Sequence, residues 1–123
     1  MISFEEFVME AGSPIYQQIL LYIKRGVVAG TVMDGDELPS RRVLSALLGV
    51  NPNTVQKALT YLEEEGILFS RGTVGRFVTS DETVLQQARE RVRREAVRGW
   101  LAEASALGIT TDELIAYIKE ETT

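Results

Sequence analysis

Gly49-Val50-Asn51-Pro52-Asn53-Thr54-Val55-Gln56-Lys57-Ala58-Leu59-Thr60-Tyr61-Leu62 reads as a turn that launches a short helix with two incompatible faces. Val55, Leu59 and Leu62 recur at helical spacing and require a core. Asn51, Asn53, Thr54, Gln56 and Lys57 gather instead at the start of the helix, where backbone N–H groups lack intrahelical partners. Asn51 suits the N-cap and Pro52 the first helical position. A helix that enters a DNA groove tip-first needs this layout.

The flanks support that reading. Ser40 is placed to cap a preceding helix, Arg41 to Leu48, whose Val43, Leu44, Leu47 and Leu48 are expected to face inward and which ends at Gly49. The connection to the next helix is then too short for anything but a helix-turn-helix. The third helix is expected to run to about Glu65, with Gly66 supplying a left-handed terminal residue. Beyond it, Ile67 to Arg71 and Gly75 to Thr79 are β-prone runs separated by Gly72-Thr73-Val74, a hairpin. Three helices followed by a hairpin is the order of a winged helix-turn-helix.

Upstream, residues 1–12 carry Phe4, Phe7 and Val8 without a clear period, consistent with a short strand or turn lying on the core. Ser13-Pro14 reads as N-cap and first helical residue. Ile15, Ile19, Tyr22, Ile23 and Val27 then give an amphipathic helix ending by Gly30. Asp34-Gly35-Asp36 is a turn signal. Its carboxylates lack the spacing of a calcium loop, so a plain turn is favoured and no metal site is expected.

Downstream, Asp81 opens a long helical pattern to about Leu107, with Leu85, Ala88, Val92, Ala96, Trp100, Leu101 and Ala104 on one stripe. Gly99 within it suggests a bend or a close contact. Thr110 and Glu113 form a capping box for a last helix bearing Leu114, Ile115 and Ile118. The chain therefore divides into residues 1–79, a winged domain, and 80–123, a helical segment. The class is α+β, mainly helical.

At 123 residues the chain accommodates one compact core and an appendage. It contains neither cysteine nor histidine, which removes disulfides, thiolate nucleophiles, Cys/His metal sites and imidazole catalysis. No base–nucleophile arrangement or phosphate-binding glycine loop can be drawn, so neither an enzyme nor a cofactor is expected. No apolar run reaches the roughly 18 residues of a membrane span. The acidic start lacks the basic region of a secretory signal, so a cytoplasmic protein is expected. The net charge of −5 is unevenly spread. Residues 38–79 are net positive, with Arg41, Arg42, Lys57, Arg71 and Arg76 set against Glu63, Glu64 and Glu65. Local charge governs attraction to phosphates within a Debye length, so the acidic total does not exclude DNA.

Pro14-Ile15-Tyr16-Gln17-Gln18-Ile19, Gly30, Gly35, Leu38-Pro39-Ser40 and Arg42 resemble the amino-terminal half of GntR-type transcriptional regulators. Gly49 to Ala58, Leu62, Gly66 and Phe77-Val78 continue the resemblance in order, and the nearest form is the short YtrA-type subfamily. The resemblance implies a homodimeric bacterial repressor of a palindromic operator, dimerised by its terminal helices. Three departures bear on the site, the first being Arg41, which stands where an acid is common and adds a cation near the expected phosphate path. Pro52 occupies a position that is often arginine, so a guanine contact from there is not carried over. Gly72 and Gly75 are offset from the commoner wing pattern of two glycines separated by one residue.

Asn53, Thr54 and Gln56 have no apolar duty and are the expected base readers. Amides can pair bidentately with adenine and the threonine methyl can pack on thymine. Asn51 is an N-cap with even odds of also touching DNA. Ser40, Arg41, Arg42 and Lys57 are the expected phosphate contacts, lysine lacking the planar fork of a base reader. For the wing residues Arg71, Gly72, Thr73 and Arg76, scaffold and DNA contact are nearly balanced. The arginine-rich run from Arg89 to Arg98 reads as a solvated face or an interface rim and is not assigned to DNA. Leu85, Val92, Trp100, Leu101, Leu114 and Ile118 are the expected dimer interface. The expected partners are double-stranded DNA and a second copy of the chain. A small-molecule effector remains open, with no residue set nominating its site. The competing reading is a winged helix kept only for protein–protein contact.

Overall fold

The computed structural model describes residues 2–123, which form α1 (Ile15–Ala29), α2 (Arg41–Leu48), α3 (Pro52–Glu64), β1 (Leu68–Ser70), β2 (Arg76–Val78), α4 (Glu82–Ala106) and α5 (Thr111–Glu121). They fall into two compact units that divide within α4, between Arg89 and Glu90, rather than before it. The first turns of α4 belong to the winged unit because Leu85 and Ala88 are buried in its core and Val84 packs against it.

The core of the first unit is built on α3. Val55, Ala58, Leu59 and Leu62 have no solvent exposure at all, and Ile19 and Ile23 of α1 and Leu44 of α2 complete the cluster. Burying each of these larger aliphatic side chains contributes roughly 1.5–3 kcal/mol. Val32 crosses α1 at Gly26, where an added Cβ would stand 2.6 Å from a Val32 methyl, so this helical glycine is required by packing. Lys24 of α1 is largely buried and pairs with Glu65 at 2.8 Å.

Helix ends follow the local chemistry, with one correction. Ser40 Oγ accepts from the Val43 N–H at 3.1 Å, and Asn51 Oδ1 accepts from the Asn53 N–H at 2.8 Å. Gly49 stands between those helices at φ 65°, a left-handed conformation that favours glycine. Ser13 does not cap α1. Pro14 takes the N-cap position without a side-chain cap, and the Ser13 Oγ instead accepts from Gln18 Nε2 at 3.1 Å. A proline at the N-cap already has the extended backbone that the position requires, which moves Ser13 one residue too far out.

Two inward assignments in α2 are also corrected. Leu44 is fully buried, whereas Val43 is 48% and Leu47 65% exposed. An eight-residue helix lying against α3 presents only one narrow edge to the core. The amino-terminal arm is irregular. Ile2 is buried, and Phe4 and Phe7 pack on Tyr22 with ring centroids 5.1 and 5.2 Å apart.

β1 and β2 pair antiparallel with Phe69 opposite Phe77. The connector before α2 adds a rudimentary third strand, with an isolated bridge from Glu37 to Phe77 and a hydrogen bond from the Leu38 N–H to the Arg76 carbonyl at 2.9 Å. This ties the wing to the entry of the helix-turn-helix.

In the second unit, Thr110 and Glu113 form the expected capping box, with both bonds at 3.1 Å. Hydrogen bonds from Thr110 hold the Glu113 carboxyl below its usual range. A lowered folded pKa means that this cap is intact above the ordinary glutamate range and is lost as pH falls through the folded value. Of the bend or close contact expected at Gly99, no close contact is found among the described residues, since nothing beyond its chain neighbours and its own helix backbone comes within 4 Å of a Cβ there. Ala104 is the one buried side chain of this unit among the described residues.

Candidate nucleic-acid interface

The first turns of α3 form the polar tip that the sequence requires. Asn51, Asn53 and Lys57 are exposed, and Thr54 and Gln56 are half-buried. The Asn51 carbonyl oxygen is engaged in capping, which leaves its amide N–H groups to donate outward. Ser40 is exposed and accepts in its cap, so its hydroxyl hydrogen remains available to a phosphate.

Arg41, Arg42, Lys57 and Arg71 form no ion pair among the described residues. Lys57 Nζ lies 4.1 Å above the Tyr16 ring, and Tyr16 stacks on Tyr61 with centroids 5.6 Å apart. The ring faces hold the ammonium by cation–π attraction without neutralising it. Tyr61 lies one turn beyond Lys57 on α3, whereas Tyr16 arrives from α1, and neither was expected from the sequence as a partner of Lys57.

The two wing arginines differ. Arg71 is exposed, with its guanidinium 5.4 Å from the Phe77 ring and 5.7 Å from that of Phe69. Gly72 and Thr73 are exposed beside it in the turn closed by the Arg71 N–H to Gly75 carbonyl bond at 2.9 Å. Arg76 turns inward instead. Its Nε donates to Glu63 Oε1 in a part-buried ion pair, and its Nη2 donates to Gln56 Oε1 at 3.3 Å. Gln56 Nε2 in turn donates to Thr60 Oγ1 at 3.1 Å. Of the two balanced readings of Arg76, this arrangement is the scaffold one, with the guanidinium paired to a carboxylate on α3.

The expected interface residues of the terminal helices behave unequally. Leu85 is 7% exposed within the core of the winged unit, which leaves it little surface for a second chain. Trp100 is 63%, Ile118 52% and Leu101 41% exposed, while Val92 and Leu114 are half-buried. In the arginine-rich run, Arg94 pairs with Glu90 at 2.6 Å one turn earlier, as a solvated face would.

A cleft of about 980 Å³ lies between the arm and α1, with Phe7, Tyr22 and Arg25 among its lining. Partial burial, with Glu6 and Glu5 nearby, raises the Tyr22 pKa. None of the expected DNA-contact residues lines this cleft. Among the described residues, no helix is long and apolar enough to cross a membrane.

Comparison with known proteins agrees with this geometry. Residues 15–78 match the family model described as bacterial regulatory proteins, gntR family. The chain is 32% identical over 111 residues to the HTH-type transcriptional repressor YtrA of Bacillus subtilis (strain 168), covering 89% of this chain and 85% of that one. It superposes on a GntR family transcriptional regulator from Listeria monocytogenes with TM-score 0.81 and 35% identity, covering 91% of this chain and 98% of that one. It also resembles the DNA-binding domain of AraR in complex with operator ORX1, with TM-score 0.52 and 28% identity over 58% of this chain and 87% of that one. The chain belongs to the GntR family of bacterial regulatory proteins, as a DNA-binding transcriptional regulator with a winged helix-turn-helix of the short YtrA type.

Proposed function

We propose that the chain is a sequence-specific repressor that binds a palindromic operator as a homodimer in the cytoplasm. The observation that carries this reading is the division of α3. One face is fully buried, while its amino-terminal tip presents amides, a threonine and an unpaired lysine to solvent. In this reading Asn51, Asn53, Thr54 and Gln56 contact base edges. Ser40, Arg41, Arg42 and Lys57 contact phosphates, and Arg71, Gly72 and Thr73 of the wing approach the flanking backbone. Phosphate contacts supply most of the affinity and base contacts the discrimination. A relative named as a repressor and a neighbour bound to its operator support this assignment.

Dimerisation follows from the second unit. Val92, Trp100, Leu101, Leu114 and Ile118 give it an apolar surface that a second copy would cover. The dimer would set two α3 tips on half-sites separated by about 34 Å or a multiple of it. Incubating the chain with random duplexes at fixed salt tests the proposal. An enriched inverted repeat is expected. Retained duplexes without a common sequence would favour the protein-interaction reading instead.

A further inference from the structure

We infer that Arg76 of the wing is a positioning residue for base recognition, which locks the Gln56 carboxamide in one orientation and does not bind phosphate. This inference rests on Gln56 being a base reader.

The chemistry is one of donors and acceptors. A glutamine amide has an oxygen that accepts and a nitrogen that donates, and turning it over exchanges the two. Thr60 cannot choose between those orientations, because its hydroxyl can accept from Nε2 or donate to Oε1. A guanidinium has donors only. With Arg76 Nη2 at 3.3 Å, the facing amide atom must be Oε1, and the flipped amide would set N–H against N–H. Arg76 thus supplies the one contact that distinguishes the two orientations.

Glu63 makes this contact durable. It engages Arg76 Nε, receives a long contact from the Ser70 hydroxyl at 3.5 Å, and holds the guanidinium against α3. Arg76 and Glu63 are only 23% and 32% exposed in their side chains, so the pair is partly shielded from solvent screening. The positive charge that a phosphate contact would need is already neutralised.

The locked amide keeps a specific capacity. One oxygen lone pair is occupied by Arg76 and one N–H by Thr60, leaving one lone pair and one N–H. That is the complement of adenine N6–H and N7 in the major groove. The wing thereby contributes to sequence preference through the recognition helix, without touching a base itself.

The test measures discrimination and salt dependence together, with duplexes varied at single positions of the sequence selected by the full-length chain. Arg76→Met should reduce discrimination at the base pair read by Gln56 by about 10-fold, the scale of one lost base contact. Its salt slope should match the wild type, whereas loss of a phosphate contact would flatten the slope by about 0.9 per protomer. Arg76→Lys keeps the charge but has one nitrogen in place of the fork, so it should lose the same discrimination. In a Gln56→Ala background neither change should have further effect at that position. A flatter salt slope with affinity lost equally on all sequences would overturn the inference and make Arg76 a phosphate contact. If Gln56→Ala alters discrimination at one base pair but both Arg76 variants leave it intact, the positioning role fails and the base-reader assignment stands. If Gln56→Ala leaves every position unchanged, both fail.

Discussion

Helix α3 and the α4–α5 end of the chain are both amphipathic helices, yet they resolve their apolar faces in opposite ways. In α3 Val55, Ala58, Leu59 and Leu62 are sealed by their own chain, and the solvent face is polar apart from Pro52 and Tyr61. In the second unit α5 has no buried residue, and Trp100, Leu101, Ile115, Tyr117 and Ile118 remain exposed. A helix whose apolar face is satisfied can present a surface to an outside ligand as a rigid scaffold. One whose apolar face is unsatisfied calls for a partner. In the proposed reading, recognition falls to one region and assembly to the other.

The strongest way to break this contrast is to damage the sealed face. Leu59→Ala removes a fully buried side chain and should cost about 2–5 kcal/mol of stability, read by denaturant unfolding. A loss below 1 kcal/mol would mean that α3 is not the keystone of the winged unit. The corresponding change at the open face is Trp100→Asp. It should leave unfolding of the winged unit unchanged while sedimentation shows monomer. A dimer that persists would move the interface elsewhere.

A smaller effect is expected at Lys57. Its replacement by alanine should weaken binding to specific and unrelated duplexes alike and flatten the salt slope by about 0.9 per protomer. A sequence-dependent loss would turn Lys57 into a base reader. The smallest change sharpens the map of the open face. Gly99→Ala meets no neighbour within the chain and should stabilise α4 by up to about 1 kcal/mol. If the variant instead dimerises less tightly, Gly99 lies at the dimer contact.

Much of the fold was legible because its signals are local. Ser40, Asn51 and Thr110 announce helix starts through side chains that bond backbone within three residues, and all three do so. The alternation of Val55, Leu59 and Leu62 marked a buried face that the structure shows in full. Ser13 misled because a proline neighbour can be either N-cap or first helical residue. Val43 and Leu47 misled because apolar periodicity in an eight-residue helix covers more surface than the core can receive. The compact units divide within α4, after the expected boundary at residue 80, because the first turns of that helix bury Leu85 and Ala88 in the winged core.

The candidate site was legible in its composition but not in its wiring. The tip residues could be named from α3 alone. The inward turn of Arg76 toward Glu63 and Gln56, and the seat of Lys57 on Tyr16, join elements distant in the chain. No periodicity reports such contacts, since they depend on how the hairpin and α1 fold back on α3.

The measurement that tests the division of labour most directly compares affinity for the selected full repeat with affinity for one half-site, in the wild type and in Trp100→Asp. The account predicts that the wild type prefers the full repeat by about 100-fold or more, the scale of linked binding. It predicts that Trp100→Asp keeps the half-site sequence but loses that preference. A variant that still prefers the full repeat, or a wild type that binds both equally, would contradict it.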